Sequence, residues 1–155
     1  MTSPVATAYI LGYGNPGRRD DGLGPALVAR LESLRIPDVV LDSDYQLNIE
    51  DGAAIAGHDH VLFVDAAESG PEPLELKPVR PASSIEFTSH AVSPEAILAI
   101  CEDHFSAAPK AWTLGIRGYD FDFVEGLTPR AQANLEEAVA FVIEKVRTWK
   151  ETNYG

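Results

Sequence analysis

Cysteine is almost absent from this chain: Cys101 is the single one in 155 residues. One thiol excludes an intramolecular disulfide framework and is compatible with a reducing cytosol. No run of about 18 apolar residues occurs, so no membrane span is expected. The start, MTSPVATAYILGYGN, carries neither a basic n-region nor a small-x-small cleavage site, so no signal peptide and a cytoplasmic location are expected. Basic residues are scarce as well. Twelve Lys and Arg face 24 acids, for a formal charge of -12, which disfavours nucleic acid as a partner, because phosphate backbones are neutralised by Lys and Arg. Two hydrolase signatures are missing too, the G-x-S-x-G elbow and H-E-x-x-H.

What is present is an ordinary globular balance, 45% apolar and 23% charged. The length suits a single domain over 1–155. Residues 6–11 form a short apolar run ending at Gly12-Tyr13-Gly14-Asn15-Pro16-Gly17, a buried strand running into a turn. After Asp20-Asp21, the spacing of Leu23, Ala26, Leu27, Ala29 and Leu31 predicts a helix to about Leu34. Val39-Val40-Leu41 reads as a strand, residues 45–56 as a helix, and Val61-Leu62-Phe63-Val64 as a buried strand ended by Asp65. Leu74–Val79 alternates apolar and polar, and its Pro78 suggests an edge strand. Ser93 as N-cap and Pro94 at the first helical position open a helix through Cys101. A strand over 111–116 and a final helix capped by Thr128 complete the order. Strands alternating with helices predict an α/β fold, a mostly parallel twisted sheet with helices on both faces.

In such sheets ligands bind beyond the carboxyl ends of the strands. Asp21 and Asp65 both belong there, and His90 lies in the loop before the Ser93 helix. Gly12-x-Gly14-x-x-Gly17 matches the dinucleotide fingerprint, with Asp42 where a ribose-binding acid would sit. Against a nucleotide, Asp20 and Asp21 occupy the place of the pyrophosphate, and Pro16 removes one N–H donor. N-capping alone would account for an acid at a helix start. Among the other histidines, His58 and His60 read as a solvated turn with Asp59, at the opposite end of their strand from Asp65. His104 suits a helix C-terminus. Cys101 reads as an inert buried thiol. Two carboxylates and one imidazole would give an open oxygen and nitrogen ligand set suited to nickel, zinc or a similar ion.

Leu11-Gly12-Tyr13-Gly14-Asn15, then Asp20-Asp21-Gly22-Leu23-Gly24, Val64-Asp65-Ala66-Ala67 and Ser89-His90, resemble the hydrogenase maturation endopeptidases. Tyr45-Gln46-Leu47-Asn48-Ile49-Glu50-Asp51 and the segments at 116–119 and 126–129 resemble the subgroup linked to soluble hydrogenases. The resemblance implies an endopeptidase that removes the C-terminal extension of a nickel–iron hydrogenase large-subunit precursor after nickel insertion. It further implies that Asp21, Asp65 and His90 bind a nickel ion carried by the substrate and form the catalytic centre, with Gly12, Gly14 and Gly22 permitting close backbone approach and Asn15 orienting the loop. Asp21 stands where some members have glutamate, one methylene longer. The glycine turn also resembles the start of bacterial peptidyl-tRNA hydrolase, but Pro25 stands where that family has its histidine. A non-catalytic nickel or precursor-binding chaperone would share the cluster and differ only in failing to cut. No signature of oligomeric state is present, and the role of Asp20 stays open.

Overall fold

The structure, a computed structural model, describes residues 8–82 and 92–154, the side chains of 152–154 excepted. Its sheet has five strands, β1 (Ala8–Tyr13), β2 (Val39–Asp44), β3 (His60–Ala67), β4 (Leu74–Val79) and β5 (Lys110–Arg117). Their spatial order is β2-β1-β3-β5-β4. The first four in that order are parallel, and β4 pairs antiparallel with β5. Pro78 therefore sits on an edge strand, where its missing N–H costs no central ladder bond.

Alternation along the central strands sends side chains to two separate cores. Ala8 and Ile10 of β1, with Leu62 and Val64 of β3, pack against α1 (Leu23–Leu34) and α4 (Pro129–Tyr154). Tyr9, Leu11, Val61 and Phe63 face the other way, toward α2 (Asp51–Ile55) and α3 (Pro94–Phe105). Because both faces are covered, the central strands read as continuous apolar runs. Helices do lie on both faces, as the alternation of elements predicts. Among the described residues no helix is long and apolar enough to cross a membrane.

Local signals placed several boundaries correctly. Ser93 accepts a hydrogen bond from the Ala96 amide at 3.1 Å, with Pro94 at the first helical position. Thr128 accepts one from the Ala131 amide at 3.3 Å. Other boundaries moved. The helix expected over 45–56 shrinks to Asp51–Ile55. Upstream of it, Asn48 donates from its side-chain amide to Asp44 at 3.0 Å and to the Gln46 carbonyl at 3.3 Å, and its backbone amide donates to Asp51 at 2.8 Å. These side chains take the backbone groups a helix would need. Only Leu47 of that stretch is buried, while Tyr45 and Ile49 are exposed. Nor does β3 stop at Asp65: Asp65, Ala66 and Ala67 stay in register with Gly115, Ile116 and Arg117.

The expected solvated turn at His58–His60 is also corrected. His60 opens β3 at 4% exposure. Its ring stacks on Trp149 at 5.0 Å and on Trp112 at 5.9 Å. Trp149 belongs to the last turns of α4, so this histidine helps dock the long helix on the sheet. His58 lies tilted against Tyr9 at 5.2 Å.

Candidate functional site at the carboxyl pole

Chain connectivity reverses between β1 and β3: the chain leaves β1 toward β2 on one side, then crosses to β3 on the other. Such a switch point leaves a crevice beyond the carboxyl ends of the two strands. Asp21 follows β1 through a glycine turn and a short 3-10 turn, Arg19–Gly22. Asp65 lies on β3, one residue past the level at which Val64 pairs with Gly12. The sheet topology therefore places both acids at one crevice.

The glycines set how closely the parts approach. A Cβ on Gly24, in the first turn of α1, would lie 2.5 Å from the Val64 carbonyl oxygen and 2.6 Å from that of Tyr13. The helix start thus rests directly on the ends of β1 and β3. Gly14 has φ of +141°, and a Cβ there would meet the Asp21 carbonyl oxygen at 2.0 Å. This packing fixes the backbone of Asp21 against the turn. The Asn15 amide then donates to Asp21 Oδ2 at 2.8 Å, while Asn15 Oδ1 accepts from the Gly17 amide at 2.9 Å. Asn15 does orient the loop.

The same bonds answer the dinucleotide reading. A phosphate cradle needs uncommitted backbone N–H groups. Here the amide of Gly14 donates to the Asp44 carbonyl, Asn15 to Asp21, Gly17 to Asn15, Arg18 to the Asn15 carbonyl and Asp21 to the Arg18 carbonyl. Pro16 has none to give. Asp42, in the ribose-acid position, accepts from the Tyr9 hydroxyl at 3.0 Å. The fingerprint spacing is present, but its donors are spent within the protein.

Asp20 and Asp21 differ in environment, Asp21 being half-buried. Asp20 is fully buried. Its Oδ2 accepts from the Tyr119 amide at 2.8 Å, the Asp120 amide at 3.1 Å and the Thr128 hydroxyl at 2.8 Å. Its Oδ1 accepts from the Thr128 amide at 2.8 Å. Burial raises its proton affinity, but these donors outweigh burial and hold the carboxyl below its usual range. Neither a cap nor open to a ligand, Asp20 ties the 3-10 turn to the connection between β5 and α4, about 100 residues away. Arg19, at φ 47°, joins the same seam through its amide to the Val124 carbonyl at 2.8 Å and its side chain to Asp120 at 3.1 Å.

Asp65 is half-buried and faces the α3 side of the sheet with Tyr13. Its carboxyl is pushed up to about 6, chiefly by burial and further by the charges of Asp21 and Glu68; the Ala66 amide, bonded at 2.7 Å, partly offsets this. The Tyr13 hydroxyl is raised as well, by burial and then by Asp65 and Glu95. Sequence reasoning missed Tyr13 and Glu95 as parts of this crevice. Tyr13 was legible as the next inward position after Leu11; Glu95 depends on where α3 begins in space. His90 lies outside the described residues. Among the described residues, no group of three or more His, Cys, Asp or Glu is gathered at metal-binding distances. The charge of Asp21 adds to the proton affinity of Asp65, so the two carboxylates share one electrostatic environment at this edge of the sheet, and carboxylate oxygens are donors of the kind a hard or borderline cation takes. The other flagged groups lie elsewhere. Cys101 is buried and donates to the Gly52 carbonyl at 3.2 Å, its thiol pushed up to about 11 by burial. His104 is exposed in the last turn of α3.

No protein-family profile matches the chain, and no curated protein matches it. Solved structures do. The [NiFe] hydrogenase maturation protease HycI from Thermococcus kodakarensis KOD1 is 22% identical, with a TM-score of 0.70 over 94% of this chain and 95% of that one. The hydrogenase maturating endopeptidase HybD from E. coli is 22% identical, with a TM-score of 0.70 over 91% and 92%. An endopeptidase from Escherichia coli is 25% identical, with a TM-score of 0.65 over 91% and 92%. Over nearly its whole length, this chain has the fold of the hydrogenase maturation proteases.

Proposed function

We propose that this protein is an endopeptidase that removes the C-terminal extension of a nickel–iron hydrogenase large-subunit precursor in the cytoplasm, once nickel has been inserted. The observation that carries the proposal is the paired acid crevice at the switch point, on a fold shared with proteins named as hydrogenase maturation proteases. Asp21, Asp65 and His90 recognise the nickel that the precursor brings. Asp21 is held by the Asn15 amide, and its charge helps push the carboxyl of Asp65 up to about 6. The metal supplies Lewis-acid polarisation of a carbonyl. A carboxylate of the pair takes the proton from an attacking water, the role for which a pKa near the working pH is suited. His90, three residues before the Ser93 cap of α3 in the sequence, is the proposed third donor, and Glu95 in the first turn of that helix adds to the rise of the Tyr13 hydroxyl.

The decisive experiment incubates the purified protein with a nickel-loaded, unprocessed large subunit beside the nickel-free precursor, with mass spectrometry of the C-terminus. Loss of the extension from the loaded form alone is expected. The Asp21→Asn, Asp65→Asn and His90→Ala variants are expected to stop cleavage. Nickel-dependent binding without a cut would replace the protease with a chaperone. Absence of cleavage of every candidate precursor would overturn the proposal.

A further inference from the structure

Beside the paired acids, the carboxyl pole carries an apolar groove that the metal reading leaves unused. Pro16 and Pro25 form a ridge with a recess on each side. One recess, about 270 Å³, is walled by Gly22, Ala26 and Leu127, with Arg19 at its edge. The other, about 240 Å³, is walled by Gly14, Ser43, Asp44 and Tyr45. Tyr45, which lines the second recess, is 70% exposed, and Val124, whose carbonyl accepts from the amide of Arg19 in the first recess, is 51% exposed. Single exposed apolar residues are common, but a group of them around paired recesses marks a binding surface. The ridge is continuous with the Asp21 turn: a Cβ on Gly22 would lie 2.8 Å from the Pro16 Cα.

Charge says what fits. From residue 36 to residue 76 there is no Lys or Arg, while that stretch holds ten acids. Four of them, Asp42, Asp44, Glu50 and Asp51, stand at the Tyr45 bank, and their mutual repulsion adds to burial in raising the proton affinity of Asp51. On the far bank the cations are engaged. Arg19 pairs with Asp120, and the Arg18 guanidinium lies 5.4 Å over the Phe123 ring. A groove that is apolar along its floor and anionic at one end complements a chain that is apolar and then cationic.

We propose that this groove seats an extended segment of the substrate protein, with an apolar side chain in the Leu127 recess and a lysine or arginine against Tyr45 and Asp44. The proposal rests on the proteolytic reading and adds the segment by which the enzyme grips its substrate. An aromatic face beside a carboxylate receives both the aliphatic stem and the charged head of such a residue. Alternate side chains of an extended strand point to one face, roughly 7 Å apart, so a single strand can fill both recesses.

Steady-state cleavage of the nickel-loaded precursor tests this with Tyr45→Ala, Tyr45→Lys and Ala26→Phe, and with Phe105→Ala at the opposite pole as control. Loss of an anchoring aromatic is expected to raise KM about tenfold with kcat within about twofold of wild type. Filling the apolar recess through Ala26→Phe is expected to raise KM similarly, and the cation introduced by Tyr45→Lys to raise it further. Phe105→Ala should match wild type. Asp44→Asn should flatten the rise of KM with added salt, because screening then has less attraction to remove. Thermal midpoints equal to wild type confirm that the variants fold. If wild type cuts and all three groove variants keep KM within about twofold, the groove proposal is overturned and the protease stands. If wild type does not cut, the protease reading itself falls.

Discussion

Replacing Asp20 with asparagine is the sharpest stability test, because one oxygen of that side chain accepts three of its four hydrogen bonds. Oδ2 faces the amides of Tyr119 and Asp120 and the Thr128 hydroxyl; Oδ1 faces the Thr128 amide. Asparagine keeps one acceptor oxygen and turns an NH2 group toward the remaining donors. With the oxygen in the Oδ2 position three of the bonds survive, and in this fully buried site the NH2 group and the Thr128 amide face each other as two donors without an acceptor. Each buried unsatisfied donor costs about 1–3 kcal/mol, so the loss is about 2–6 kcal/mol, a large share of the roughly 5–15 kcal/mol that holds a domain folded. For a chain of this size that lowers the thermal midpoint by roughly 4–24 °C. Asp21→Asn, one residue along, keeps an oxygen for the Asn15 amide and should cost less than about 1 kcal/mol. Urea unfolding followed by tryptophan fluorescence measures both variants. Since the folded Asp20 carboxyl lies below its ordinary value, its stabilisation is present above about pH 4 and is lost as pH falls through the folded value. The gap between wild type and Asp20→Asn should therefore hold from neutral to mildly acidic pH and close in strong acid. An Asp20→Asn protein that unfolds within about 0.5 kcal/mol of wild type at pH 7 would refute the reasoning.

Asp65→Asn should act in the opposite direction. Its carboxyl is raised to about 6, so the ionised group opposes folding above that pH, and the opposition fades as pH falls toward the unfolded value. The variant is expected to be more stable than wild type by about 1–3 kcal/mol at pH 8, with no gain at pH 4, by thermal melts at both pH values; equal midpoints at pH 8 would remove the electrostatic basis of the crevice. Cys101, buried with its thiol pushed up to about 11, should resist alkylation by iodoacetamide at pH 7.5 in the native protein and react fully in denaturant. Rapid labelling of the native protein would contradict its burial.

The alternation of apolar strands with amphipathic helices was enough to dictate a covered, mostly parallel sheet, because a strand such as Val61–Val64 is apolar on both sides only when both faces are buried. Caps were equally legible: Ser93 and Thr128 act on amides three residues away, a distance the sequence itself displays. The glycine turn announced close backbone approach, and Asp21 and Asp65 announced a shared edge of the sheet, since one follows β1 and the other lies near the carboxyl end of its parallel neighbour β3. Other features depended on distance in space. Asp20 looked like a redundant neighbour of Asp21, yet its donors come from residues 119–128, brought to it only when β5 lies beside β3 and α4 folds back on α1. His60 read as a turn residue because its partners Trp112 and Trp149 are 52 and 89 positions away. The short α2 departs from the expected helix because Leu47, Ile49 and Ala53-Ala54-Ile55 offer a helical spacing, while the hydrogen bonds of Asn48 and Asp51 decide the backbone. Local chemistry and periodicity fix which elements form, since they act within a turn or two. Which acid is a strut and which faces the crevice is set by packing between distant segments, and so only the tertiary structure decides it.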